Sequence, residues 1–160
     1  MASSIVSEGI VLIAVVIAAA ALSQVFLTSM AGLEHGTLSM SDKLSEKMKT
    51  SINVISAVNT SSTTVKVWVK NTGTSIIPST VVEMSDIIFG RIGEYSHVQY
   101  AESGPGWAFT LLNSDDTNWQ DSETIEITIT TSSDLEKGDY YFRFNTYNGV
   151  DDELYFTIGD

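Results

Sequence analysis

A run of 25 residues without a charged side chain, Gly9–Leu33, constrains this chain more than any other feature. Glu8 and Glu34 bound the run, and its interior is mostly alanine, valine, isoleucine and leucine. A helix of about 20 apolar residues crosses the hydrocarbon core of a bilayer, which is about 30 Å thick. We therefore expect a hydrophobic helix that either crosses a membrane or lies in the core of a filament.

Small residues in this run indicate how the helix packs. Alanines occupy its middle, from Ala18 to Ala21. Membrane helices associate through small residues, because these let two backbones approach closely. We predict that the helix packs against another helix. The residues expected at this membrane or packing surface are Ile10, Ile13, Ala14, Ile17, Ala18, Ala21 and Val25.

The charges on either side of the run bear on processing and orientation. The first eight residues contain no Lys or Arg, whereas a secretory signal peptide begins with a basic region. We therefore expect the helix to be retained. Lys43, Lys47 and Lys49 follow the run. The positive-inside rule would place them, and the part of the chain after the run, in the cytoplasm.

A polar helix is expected to continue from the hydrophobic one. Met40, Leu44 and Met48 recur every four residues, which is the spacing of one face of a helix. The helix is expected to end near Lys49. Residues 1–50 are thus predicted to form the hydrophobic helix and a helical stalk, and residues 51–160 a separate head.

The head shows the two-residue period of β-strands. Three valines alternate with polar residues in Thr64–Lys70, and three isoleucines do so in Thr124–Thr130. Further strands are predicted at Ile52–Ser56, Val81–Met84, Ile87–Phe89, His97–Tyr100, Trp107–Leu112, Tyr140–Tyr147 and Glu153–Ile158. Turns are predicted at Asn59–Thr63, Asn71–Gly73 and Asn148-Gly149, with no helix between the strands.

Short strands without connecting helices favour antiparallel pairing, because parallel strands need long crossovers. The predicted fold is mainly β with one long N-terminal α-helix. The hydrophobic helix is followed by an antiparallel, immunoglobulin-like β-sandwich. Either Val65–Val69 or the last strand is expected to offer a free edge at which two heads pair.

The charge of the chain limits its partners. The net charge is −12, which excludes nucleic acid as a partner, since phosphate binding needs a basic surface. From Ala101 to the C-terminus, 13 acidic residues accompany only Lys137 and Arg143. This acidic surface indicates either simple solvation or a basic partner. The chain has no cysteine, which excludes disulfides and thiolate metal sites.

The polar residues offer few patterns typical of catalytic or metal-binding sites. The two histidines, His35 and His97, belong to no recognisable catalytic motif, so no enzymatic activity and no cofactor are predicted. Two groups of carboxylates are chemically suited to Ca²⁺ but lack the spacing of an EF-hand, so solvated loop acids are the favoured interpretation. The calcium candidates are Asp115, Asp116, Asp121, Asp151 and Asp152.

Three residues are candidates for contacts or modification. Asn59 begins an Asn-Thr-Ser sequence in a predicted turn, where a glycan would be accommodated. Trp68 and Tyr155 are predicted on the polar faces of their strands. Interfaces favour Trp and Tyr, so both residues are candidate contacts, with packing beneath a loop as the alternative.

Several stretches together resemble the archaeal flagellar protein G family, an accessory component of the archaellum. The N-terminal stretch reads MASSIVSEGIVLIAVVIAAAAL, and Val67–Gly73 reads VWVKNTG. Near the C-terminus, Glu136–Asp139 precedes an Asn148-Gly149 turn and the last strand. The resemblance covers most of the chain. It implies a β-sandwich head and a membrane-anchoring helix similar to that of type IV pilins, without catalytic residues.

The resemblance also implies partners and a location. The head would lie outside the cytoplasmic membrane, associate with other copies of itself, and work with a companion, flagellar protein F, that contacts the surface layer. Together they would form the static element, or stator, against which the rotor turns. The three lysines after the run disagree with this orientation. No basic leader precedes Ile10, so an uncleaved anchor is expected rather than a processed pilin.

Three functional hypotheses follow. The leading one is a membrane-anchored structural component of the archaellum, with its head outside the cytoplasmic membrane. The alternative is a filament subunit, an archaellin or pilin-like protein whose helices bundle in an extracellular filament. A third is an adhesion module with a calcium-dependent acidic surface.

Overall fold

The computed structural model describes residues 2–112 and 117–159, which divide into two compact units. One unit ends at Lys43 and the other begins at Leu44. The predicted division after residue 50 concerns independent folding and stays a prediction.

The N-terminal helix α1 extends over Ala2–Lys49, so the hydrophobic run and the polar stalk belong to one helix. In the described residues, one helix is long and apolar enough to cross a membrane, judged by length and composition. Three of its hydroxyl groups bond to the backbone of the helix itself. The side chains of Ser23, Thr28 and Thr37 each donate to the carbonyl four residues earlier, at 2.9 Å.

The described part of the head contains ten strands and one short helix, α2. The strands are β1 (Ile52–Ser61), β2 (Thr64–Asn71), β3 (Ile77–Pro78), β4 (Asp86–Arg91), β5 (Ser96–Val98), β6 (Gly106–Leu111), β7 (Asn118–Trp119), β8 (Thr124–Thr130), β9 (Gly138–Asn145) and β10 (Asp151–Ile158), and α2 is Ser79–Val82. The first sheet has the order β1-β2-β8-β6, and the second has the order β10-β9-β4-β5. All strand pairs are antiparallel, including the small β3-β7 pair. The predicted antiparallel sandwich behind a long helix is confirmed.

The alternating residues of β2 and β8 form the centre of the core. Val67 lies opposite Ile127 in the sheet register, and the flanking valines and isoleucines pair in the same way. All six side chains are 0% exposed. Phe142 and Phe144 of β9 belong to the same buried cluster. Burial of each such side chain contributes about 1.5–3 kcal/mol, so this layer holds the two sheets together.

Two local predictions were wrong. Val81–Met84 is not a strand, because residues from Ser79 form α2 and the chain then turns. Pro78 precedes α2 with φ −60°, which suits entry into a helix. The turn places Val82 in the core. The predicted turn at Asn59–Thr63 is wrong at its start, since β1 continues to Ser61 by pairing with β2 and the turn consists of Ser62 and Thr63.

The predicted free edge at Val65–Val69 is wrong as well. This segment lies in β2, which pairs with β1 on one side and with β8 on the other. Its backbone groups are therefore used within the sheet. The last strand, β10, is at the edge of the second sheet, as predicted.

Candidate assembly surfaces

The apolar face of α1 is the first candidate surface. Ile10, Ile13, Ile17 and Val25 are each more than 60% exposed. The alanines of the predicted packing surface are exposed too. An apolar surface of this extent is unfavourable in water, because burial of apolar area is the main favourable term in association. Lipid or neighbouring helices would cover this surface. The role of these residues as a packing site stays a prediction.

The second candidate surface, which we call the clamp, consists of two turns that contact the end of α1. One contains Tyr147 and Asn148, and the other contains Thr74 and Ser75. The Tyr147 hydroxyl donates to Glu46 Oε1 at 2.5 Å, and Asn148 Nδ2 donates to Thr50 Oγ1 at 2.8 Å. Thr50 itself is buried. These contacts join the last helical turn to the turn between β9 and β10.

A loop after β2 closes the clamp from another side. The backbone N–H groups of Thr74 and Ser75 donate to the Lys49 carbonyl at 2.9 and 3.2 Å. The last carbonyls of a helix have no partner within the helix, so these bonds satisfy one of them. Gly73 approaches so closely that a Cβ there would collide with the Lys49 carbonyl oxygen and lie 2.5 Å from the Ser51 nitrogen. The two predicted turns, Asn71–Gly73 and Asn148-Gly149, thus lie on the two sides of the clamp.

Asn71 orders this loop, and the sequence identified it only as the first residue of a turn. Its buried side chain donates to the Ser75 carbonyl at 2.8 Å and accepts from the Gly73 N–H at 3.0 Å. The Asn-x-Gly spacing is a recognisable signal, because Asn side chains bond the backbone two residues on. The sequence contained that signal but did not show what the turn would contact.

The edges of the two sheets form a third set of candidate surfaces. Asp152 of β10 accepts from the Val54 N–H at 2.7 Å and from Asn53 Nδ2 at 3.4 Å. This carboxylate therefore blocks the first part of the β1 edge. On the other edge of the first sheet, the Trp107 N–H donates to the Gln99 carbonyl at 2.9 Å, so a crossing segment covers β6.

The predicted contact residues lie on different sheets. Trp68 is half-buried on the first sheet, opposite Glu126 of β8, and a Lys66–Glu126 ion pair of 2.6 Å lies on the same strands. Tyr155 is 61% exposed on the second sheet. Asn59 is exposed within β1, opposite Val65. The structure does not bring these three positions into one site, and their roles stay predictions.

The acidic candidates for calcium have other partners. Asp151 accepts from Arg143 at 2.9 Å, Asp152 blocks the β1 edge, and Asp121 is exposed before β8. Asp115 and Asp116 lie outside the described residues. Within residues 2–112 and 117–159, no group of three or more His, Asp or Glu side chains is placed to hold a metal ion.

Two tyrosine hydroxyls are strongly perturbed. Burial raises the pKa of Tyr141 to about 12, and its hydrogen bond to Glu153 contributes in the same direction. Burial likewise raises the pKa of Tyr147 to about 12, with a further contribution from Glu46. Both hydroxyls keep their protons at neutral pH and donate to these carboxylates.

Comparison with known proteins gives a matching family and a relative. A family model described as archaeal-type flagellin matches residues 2–156. A protein from Archaeoglobus fulgidus, described as uncharacterized, is 34% identical over 163 residues, covering 98% of this chain and 99% of that protein.

Solved structures give a second comparison. The archaellum periplasmic stator protein FlaG from Sulfolobus acidocaldarius matches with a TM-score of 0.58 and 28% identity, over 67% of this chain and 99% of that one. The archaellum periplasmic stator protein complex FlaF and FlaG from the same organism matches with a TM-score of 0.56 and 29% identity, over 66% of this chain and 87% of the matched chain.

Proposed function

Because the chain belongs to the archaeal-type flagellin family and is an archaellum component similar to FlaG, we propose that it is a membrane-anchored part of the stator. In this proposal α1 holds the protein in the cytoplasmic membrane, and the head forms part of the static element outside it. The family and the fold are those of structural archaellum components rather than of enzymes.

The observation that carries the proposal is the similarity of this chain to a solved stator protein. The match covers 99% of the FlaG chain at 28% identity, so the similarity in fold and sequence extends over nearly all of that chain. The exposed apolar surface of α1 supports an anchor, since lipid would remove it from water. The clamp supports a static role, because it holds the last turn of the helix to the head at several points.

We further propose two kinds of protein partner. The FlaF and FlaG complex supports a companion similar to FlaF, through which the head would contact the surface layer. Other copies of this chain are the second kind, associating through their heads.

The test is fractionation of cells that produce the tagged chain. We expect the protein to stay in the membrane after a high-salt wash, to be cut by external protease only in the head, and to keep its apolar run intact. Loss from the membrane on washing, or protection of the head in intact cells, would contradict the proposal. The second outcome would agree with the orientation indicated by the three lysines after the run.

The family match also favours a second candidate, a subunit of the filament. In that case α1 would bundle with other helices in the filament core. Cleavage just before the apolar run and high abundance in sheared filaments would favour the subunit. Two results would together favour the stator. The chain would be present only in traces in sheared filaments, and deletion of its gene would abolish swimming while filaments persist.

A further inference from the structure

Three tyrosine rings lie side by side on the outer face of the second sheet. The ring centroids of Tyr95 and Tyr141 are 5.1 Å apart, and those of Tyr141 and Tyr155 are also 5.1 Å apart. Tyr141 is 8% exposed, whereas Tyr95 and Tyr155 are 54% and 61% exposed. We refer to these three residues as the tyrosine face. Exposed tyrosines are enriched in interfaces relative to other surfaces, which makes this face a candidate contact.

A glycine in β4 makes the tyrosine face possible. Gly90 has φ +154°, and a Cβ there would lie 2.6 Å from the Tyr95 Cα and 2.9 Å from the Glu94 carbonyl oxygen. Glycine inside a strand weakens it and often marks the close approach of another backbone. Here the approach lays the turn after β4 on the sheet, which puts the ring of Tyr95 against Tyr141.

The charges around the tyrosine face are mainly negative. Glu153 accepts from the Tyr141 hydroxyl at 2.7 Å, and Glu94 is exposed next to Tyr95. The two nearby arginines are already engaged, Arg143 with Asp151 and with the Tyr141 hydroxyl, and Arg91 with Glu136. The face therefore offers aromatic rings and carboxylates to a partner.

A groove of about 510 Å³ continues the face beyond Tyr95. Its lining includes Asp86, His97 and Arg143, with Asp86 and His97 3.0 Å apart. A side chain that extends from a partner would find both a concave surface and polar groups there.

We propose that the tyrosine face docks a basic, arginine-bearing segment of a partner protein. The inference rests on the proposed function, because it supplies the chemistry of a partner in the same assembly. Guanidinium groups stack on aromatic rings and pair with carboxylates, so they match both components of the face. A second copy of the chain is a poor occupant of this face, since only five basic residues accompany 16 acidic ones after Thr50, so the heads would associate through another surface.

Peptide binding to the full chain in detergent micelles tests this chemistry. The probes are three synthetic peptides of equal length in which glycine and serine separate arginines, lysines or glutamates. We expect the arginine peptide to bind most tightly and the glutamate peptide not to bind. Tyr95→Ala and Tyr155→Ala should each weaken arginine-peptide binding about two- to fivefold, the range expected for one exposed cation–π contact.

Control variants test whether binding depends on the tyrosine face or only on the negative charge of the head. Glu94→Gln should weaken binding, whereas Glu83→Gln removes an exposed carboxylate elsewhere and should not. Val58→Ala, an apolar truncation on the first sheet, should also have no effect. Equal binding by wild type, Tyr155→Ala and Glu94→Gln would overturn the inference.

Photocrosslinking in intact cells identifies the occupant. A benzophenone side chain at position 155 should crosslink to a lysine- or arginine-containing segment of a different protein, and the same group at position 58 should not. Crosslinking to a second copy, to an acidic segment or to nothing would overturn the inference. Because neither substitution touches α1, membrane retention reports on the proposed function separately.

Discussion

At the scale of single residues, Gly73 is the least replaceable position of the clamp. A Cβ at this residue would meet the backbone at Lys49 and Ser51, which cannot move aside as a flexible side chain would. We expect Gly73→Ala to destabilise the head by about 1–3 kcal/mol, the usual range for overpacking. Thermal unfolding followed by near-ultraviolet circular dichroism measures this, because Trp107 and Trp119 are buried in the head.

A matched control is Gly159→Ala. A Cβ at Gly159 would meet nothing within 4 Å, so this substitution should leave the melting temperature unchanged. Equal melting temperatures for Gly73→Ala and Gly159→Ala would mean that the Gly73 loop does not hold the helix end in solution.

The two perturbed tyrosines predict how stability depends on alkaline pH. Tyr141 and Tyr147 ordinarily titrate at 10.0, and folding raises the pKa of each to about 12. Above pH 10 the unfolded state binds fewer protons than the folded state, so the free energy of unfolding falls as pH rises towards about 12. Below pH 10 both states keep the protons, and this contribution is fully present.

The Tyr141→Phe, Tyr147→Phe double variant checks this prediction. Its melting temperature should fall less steeply than that of the wild type between pH 10 and pH 12, and in parallel with it between pH 7 and pH 9. An unchanged slope in the alkaline range would show that the two hydroxyls keep ordinary pKa values in the folded head.

At the scale of the strand, Asp152 protects an edge of the sandwich. Its carboxylate holds the Val54 N–H of β1, and an edge with free N–H groups can pair with another chain. We expect Asp152→Ala to cost about 1.5–3 kcal/mol, as for hydrogen bonds to charged groups, and to promote association of heads. Urea unfolding and sedimentation velocity measure the two effects.

The adjacent residue supplies the control. Asp151 forms a surface ion pair with Arg143, and such pairs contribute about 0–1 kcal/mol. Asp151→Ala should therefore have a small effect on stability and leave the degree of association of heads unchanged. If the two alanine variants behave alike, the carboxylate of Asp152 does not guard the edge.

At the scale of the whole molecule, the clamp decides where a stable head begins. A fragment that starts at Leu44 keeps the Tyr147–Glu46 and Asn148–Thr50 hydrogen bonds, whereas a fragment that starts at Ser51 loses both. At about 0.5–1.5 kcal/mol for each bond, we expect the longer fragment to be more stable by about 1–3 kcal/mol. Urea unfolding of the two fragments gives the difference.

A third fragment separates the hydrogen bonds from added length. The fragment starting at Leu44 with Glu46→Ala and Asn148→Ala should fall to the stability of the fragment starting at Ser51. If the two plain fragments are equally stable, the head is complete from residue 51, as the division at residue 50 predicts, and the clamp contributes nothing to folding.

The sequence alone was sufficient for features that depend on the spacing of neighbouring residues. An uncharged run of 25 residues predicts a hydrophobic helix, and alternation in Thr64–Lys70 and Thr124–Thr130 predicts strands with one buried face. Both predictions were confirmed, because helix and strand geometry decide locally which side chains share a face. The turn signals at Asn71–Gly73 and Asn148-Gly149 were equally readable.

Only the tertiary structure decided which of these elements meet. It places β2 in the interior of a sheet, extends β1 through Asn59, and turns Val82 into the core through α2. It also places Asp152, which the sequence suggested to be a solvated loop acid, against the edge of β1, where its carboxylate accepts from the Val54 N–H. These outcomes depend on contacts between residues far apart in the chain, and the free energy of such contacts outweighs the local preferences that a sequence displays.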